Sequence, residues 1–162
     1  MPGDRERRTT SGSTLRLVAA DAAREVPTQA SPVEADQSVI LPGQRQSVAV
    51  GRHWVVSCAS GHGLNGVLGQ VIELLSSEIL TNAVLHGAGG GAVALAVRVT
   101  ATVVRVSVSD GAHEAPVVVH SDPSDLHGRG MAIVEALSQR WGVESHSEGG
   151  KTVWFELDRA EF

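Results

Sequence analysis

The 162-residue chain predicts an α+β fold, a two-layer sandwich in which helices cover one face of a mixed, mostly antiparallel sheet. Three observations carry this expectation. Two β-branched runs, residues 92–100 and 102–109, are separated by almost nothing, and only an antiparallel hairpin joins strands that close together. Leu68, Val71, Ile72, Leu75, Ile79 and Ala83 recur every third or fourth position across residues 64–86, the period of a long amphipathic helix. A second apolar run, a Gly-Gly turn and a third run close the chain over residues 141–157.

Taken in order, residues 1–37 mix Arg, Thr, Ser, Pro and acids without a period, and Pro27 and Pro32 punctuate them, so the segment predicts a disordered tail with at most a transient helix at 15–25. The domain spans 38–158 and opens on Ser38-Val-Ile-Leu41, a short strand stopped by Pro42-Gly43. Val48, Val50, Trp54, Val55 and Cys58 fall near helical spacing and Gly61 to Gly63 end that segment, although Trp54-Val-Val56 also suits a strand. The long helix and first hairpin follow, and then residues 110–127, rich in Gly, Pro, acids and His around Val117-Val-Val119, predict a long loop of the kind that often carries function. A helix starting near Gly128 or Gly130 and running to Leu137 leads into the last hairpin, Trp141-Gly-Val143 turning at Ser147-Glu-Gly-Gly150 into a strand over 151–157.

Composition narrows the function. With 42% hydrophobic and 19% charged residues the chain suits one compact core. Thirteen basic against eighteen acidic residues leave a net charge of −5, and aromatics are 3%, which argues against direct nucleic-acid binding by a basic field or by base stacking. Cys58 is the single cysteine, so an internal disulfide is excluded and a cytoplasmic location is the expectation. The N-terminal apolar stretch 15–20 is interrupted by Arg16, too short for a membrane span or a signal core.

Four small constellations bear chemistry. Glu78, Asn82 and His86 lie four residues apart on one helix face, where a carboxylate can accept a proton and an amide oxygen can hold hydrated magnesium; a solvated helix face is the ordinary alternative. Val108-Ser-Asp110-Gly111 ends a strand on a carboxylate that can receive an exocyclic amine, with a glycine that lets a ring approach, although Asp-Gly is also common turn chemistry. His127-Gly128-Arg129-Gly130 opens a helix whose free amides favour phosphate oxygens. Gly149-Gly150-Lys151-Thr152 sets a cation and a hydroxyl at the start of the last strand, or simply makes a hairpin turn with a solvated lysine.

Their order is more specific than any member. Ser77-Glu78-Ile-Leu-Thr-Asn82-Ala83-Val-Leu-His86-Gly87, then Val-Ser-Asp110-Gly111, then Gly128-Arg129-Gly130-Met-Ala-Ile-Val134, then Gly150-Lys151-Thr152-Val153-Trp-Phe155 resembles the gyrase, Hsp90, histidine kinase and MutL superfamily over roughly residues 39–157. Within it the resemblance is to the small bacterial anti-sigma-factor serine/threonine kinases. The resemblance implies a Bergerat α/β sandwich binding ATP and Mg2+. It implies Glu78 as general base, Asn82 as the magnesium-holding residue, and Asp110 receiving the adenine amine, with Gly111 beside it among the ATP-binding residues. Gly128 and Gly130 would shape the phosphate end of the lid, with Arg129 between them and Lys151 counted among the ATP-binding residues, and Thr152 would support adenine from the last strand. The implied partners are a sigma factor held inactive and an antagonist protein phosphorylated on Ser or Thr, with a homodimer also implied and no membrane or nucleic acid engaged directly.

Competing readings fall on topology or spacing. Gly61-His-Gly63-Leu-Asn-Gly66 fits a dinucleotide fingerprint, but the strands that follow form a tight antiparallel pair with no acid before Asp110. The Gly-Gly-Lys-Thr at 149–152 lacks the earlier glycine of a phosphate loop and is followed by a strand. His113, His120 and His127 share a loop without zinc-ligand spacing. Trp54, Trp141, Trp154 and Cys58 read as core packing. The lid carries Glu114, Asp122 and Asp125 with no run of Arg or Lys, which keeps a second class open: a non-catalytic module that sequesters a partner around a degenerate nucleotide site.

Overall fold

The computed structural model describes residues 5–8, 14–17, 33–87, 91–111 and 129–162. Near the N-terminus β1 (Arg5–Arg8) pairs antiparallel with β2 (Thr14–Leu17), with Glu6 opposite Arg16. Both strands lie within the segment that the sequence reads as a tail. Residues 15–17 of the expected transient helix lie in β2, and its remainder falls outside the described residues.

The main sheet has strand order β3-β4-β5-β7-β6, and each of its four pairings is antiparallel. β3 (Val33–Leu41) starts five residues before the apolar run that announced it. Its first half, Val-Glu-Ala-Asp-Gln, reads as tail because an edge strand exposes polar side chains. Asp36 is held there by Arg98 of the neighbouring strand at 2.9 Å, and Glu34 by Arg159 at 2.9 Å. β4 (Val93–Thr100) and β5 (Val103–Asp110) form the tight hairpin, and β6 (Arg140–Ser145) with β7 (Lys151–Asp158) forms the second.

Strand alternation divides this sheet cleanly. Val93, Leu95, Val97 and Val99 of β4, Val104, Val106 and Val108 of β5, and Val153, Phe155 and Leu157 of β7 all lie buried on the inner face. Against that face pack α1 (Arg45–Gly61), α2 (Gly66–His86) and the short α3 (Gly130–Leu137). The Trp54-Val-Val56 segment is helix, and Cys58 is packed beneath it, its thiol 3.1 Å from Gln37 Oε1 and pushed up in pKa by burial. α1 meets its neighbours closely at Gly51, where an added Cβ would stand 2.9 Å from Leu80 Cδ1 and 3.1 Å from Leu41 Cδ1. α2 is long and apolar enough by composition to cross a membrane, yet Leu68, Ile72, Leu75, Ile79, Leu80 and Ala83 are buried within the fold as the core helix.

The outer face is polar. Arg105 stacks over the Trp154 ring at 3.9 Å and reaches Glu144 at 3.0 Å and Glu156 at 3.4 Å. Trp141 is a core anchor as expected and Trp54 packs against the core, whereas Trp154 is buried on the opposite side of the sheet, outside the contiguous core.

Candidate functional site

β5 ends at Asp110, and the pleat turns its side chain to the inner face just where the C-terminal end of α2 arrives. Gly87 closes α2 there: an added Cβ would lie 3.5 Å from Asp110 Cβ and would collide with the Ala83 carbonyl oxygen. Between these elements opens a pocket of about 130 Å³ lined by Gly43, Ala83, Val84, Gly87, Gly91, Ala92, Val93, Asp110 and Gly111. Four of those residues are glycines, so backbone rather than side chain forms much of the wall, and a flat ligand can approach closely. The volume is comparable with the ~150 Å³ cavity that admits a benzene ring. It suits one planar ring system with a single carboxylate to orient it.

Lys151 faces Asp110 across the β5–β7 ladder, where the two are Cα partners. Its Nζ stands 3.1 Å from Asp110 Oδ1, and the two side chains are only 3% and 2% exposed. The strand reaches this position through Gly150, whose φ of +91° belongs to glycine, and a Cβ there would strike the Asp110 carbonyl oxygen. The solvated-turn alternative for Lys151 is therefore overturned, because the residue after the turn is already inside the sheet. Lys151 does not line the pocket; it stands behind the carboxylate that does.

A second cluster lies on α2. Glu78 and Asn82, one turn apart, are half-buried, while His86 is exposed. Gly130, the first residue of α3, sits against Glu78: an added Cβ would be 2.5 Å from Oε2. Packing against α3 desolvates the Glu78 carboxyl and raises its pKa above the ordinary carboxylate value.

The sequence-predicted residues thus separate into groups. Asp110 and Gly111 line the pocket with Lys151 paired to Asp110 outside that lining, and Glu78 meets Gly130. Asn82 stands one residue before Ala83, which lines the pocket, and Arg129 is exposed at the start of α3. Thr152 differs from its expected role beside the aspartate. Strand alternation sends it to the outer face, where its Oγ1 is 2.6 Å from Ser109 Oγ and 2.8 Å from His146 Nε2. Gly128, the lid acids, the Val117–Val119 run and the three loop histidines lie outside the described residues. Sequence reasoning missed Gly43, Gly91 and Ala92 as pocket walls and Gly150 as the backbone wedge. The available signal for Gly91 was the glycine-rich run Gly87-Ala-Gly-Gly-Gly91 that follows the long helix.

Among the described residues, three helices lie on one face of an antiparallel sheet and a small glycine-walled pocket opens beside Asp110, which makes an α+β domain with a cleft at one end of its sheet. The chain belongs to the histidine kinase-like ATPase domain family, whose model matches residues 41–157. Membership implies ATP binding. No curated protein matches the chain.

Proposed function

We propose that the chain is an ATP-binding regulatory protein that transfers phosphate to a serine or threonine of a partner protein, in the manner of the anti-sigma-factor kinases. The observation that supports this best is Glu78, a desolvated carboxyl one turn from Asn82 and in contact with the first residue of α3. A carboxylate whose proton affinity is raised by burial is better matched to accepting a hydroxyl proton near neutral pH than an ordinary surface glutamate. Glu78 is thus suited to take the proton from the partner's hydroxyl. Asn82 would hold Mg2+ through its side-chain oxygen, a hard ligand for a hard cation. Asp110 would accept the amine of adenine, and Gly130 keeps the start of α3 free of a side chain where anionic groups favour backbone amides. When bound, ATP supplies the phosphoryl group, and the residues named here position, orient and deprotonate. The partners of this reading are a sigma factor held inactive and an antagonist carrying the target hydroxyl, with the chain working in the cytoplasm and able to pair with a second copy.

The test is calorimetric titration of ATP, GTP and NAD with and without Mg2+, followed by phosphate transfer to a candidate partner. Adenine-selective, magnesium-dependent binding should be lost in Asn82→Ala. Glu78→Ala should bind ATP within about threefold of the parent yet lose transfer by about 10²-fold or more. Transfer that survives in Glu78→Ala would reject the base assignment. Nucleotide binding with no transfer by the parent protein would leave the partner-sequestering module as the function.

A further inference from the structure

We propose that Lys151 is a specificity-setting positioning residue, which holds Asp110 as a fixed, ionised acceptor so that the pocket selects bases bearing an amino group and rejects their oxo counterparts. This rests on the nucleotide reading above. Four observations carry it. Asp110 is among the residues that line the pocket and Lys151 is not. The ammonium lies 3.1 Å from Oδ1, with both side chains almost fully removed from water. The ladder makes Asp110 and Lys151 direct partners, so the contact is set by sheet register and not by a flexible side chain reaching across solvent. Gly150, at a backbone angle other residues avoid, lets the strand run hard against the Asp110 and Gly111 backbone and leaves the pair little freedom to separate.

The chemistry follows from donor and acceptor counts. An ionised carboxylate only accepts hydrogen bonds, whereas a protonated carboxyl also donates. A buried carboxylate that loses its counter-charge tends to neutralise. With Lys151 in place the floor of the pocket therefore welcomes an N–H donor and repels a carbonyl oxygen. A 6-aminopurine presents the first and a 6-oxopurine the second. Without the ammonium, the Asp110 carboxyl loses the 3.1 Å contact that fixes its Oδ1, so discrimination fades even where binding persists. A buried ion pair is commonly no more stabilising than an apolar pair of the same volume. Keeping one at this floor is consistent with a role in reading the ligand.

The experiment compares ATP with ITP, which differ in that one group, by calorimetry on the full chain in the presence of Mg2+. The parent should favour ATP by about tenfold or more, because a site built to accept a hydrogen bond rejects a ligand that cannot donate it. Lys151→Met should narrow the ratio to within about threefold. Lys151→Gln, whose amide still donates to Oδ1 without bringing charge, retains the packing and serves where the Met variant does not fold; it should narrow the ratio too. A purely structural lysine would lower the melting temperature and leave the ratio untouched, so a folded variant with the parental ratio overturns the proposal. Equal binding of ATP and ITP by the parent overturns it as well, while nucleotide binding stands. Binding of neither by the parent removes the nucleotide reading itself.

Discussion

The inner and outer faces of the sheet both carry an ion pair on the same two strands, β5 and β7, but they hold charge in different ways. On the inner face Lys151 and Asp110 are 3% and 2% exposed; on the outer face Arg105 keeps 25% of its side chain exposed while it spans Glu144, Glu156 and the Trp154 ring. The outer cluster keeps more contact with water, least at Glu156 with 15% of its side chain exposed and most at Glu144 with 39%. The inner pair has given up hydration on both sides, so removing one partner costs more there than on the outer face. One side of the sheet uses charge as a solvated coat, and the other uses it as a fixed component of a pocket.

Truncation should expose this asymmetry most strongly. Phe155→Ala removes a fully buried ring from the inner face of β7 and should cost about 3–5 kcal/mol in denaturant unfolding. Arg105→Ala, on the other side of the neighbouring strand, should cost only about 1 kcal/mol, mostly from the lost stacking on Trp154, and the ionic share should shrink further in high salt. Equal costs would mean that the outer face is as much a core as the inner one.

Two smaller changes sharpen the picture within the helical layer. Ser76 is fully buried on α2 and its hydroxyl has no hydrogen-bond partner among the described residues, so Ser76→Ala should stabilise the fold by about 0.5–1 kcal/mol. The smallest effect belongs to Glu78. Burial raises its pKa, so the native state binds that proton more tightly than the unfolded chain does. Its contribution to stability is present at low pH and is lost as pH rises through the native value. Glu78→Gln should therefore raise the melting temperature by about 1–2 °C at neutral pH, and the gain should vanish near pH 4. An unchanged difference between the two conditions would show that Glu78 is no more reluctant to ionise than a surface glutamate.

The inner face was the legible one. Alternating Val and Leu in β4 and β5 and the three-to-four spacing in α2 are direct consequences of burial on one side, so element type and order could be read from them. The polar half of β3 could not, because its order comes from pairing with β4 and from Arg98 and Arg159, which lie far along the chain. The site shows the same division. Glu78, Asn82 and Asp110 announce themselves by spacing and by position at a strand end. The choice between Lys151 and Thr152 depends on a one-residue phase of β7, and that phase is set by the register of its pairing with β5.

The order β3-β4-β5-β7-β6 joins two hairpins, each closed by a short connection, along a single seam between β5 and β7. Forming that seam brings together residues 41 positions apart, so it bears a larger loop-closure cost than either hairpin. The pocket floor lies at one end of the seam, and half-assembled chains that hold only their hairpins contain no site. On the reading proposed above, a nucleotide bound there would act as a clasp between two locally folding pieces: it should slow unfolding more than it speeds folding, and would link the chain's lifetime to the supply of its ligand.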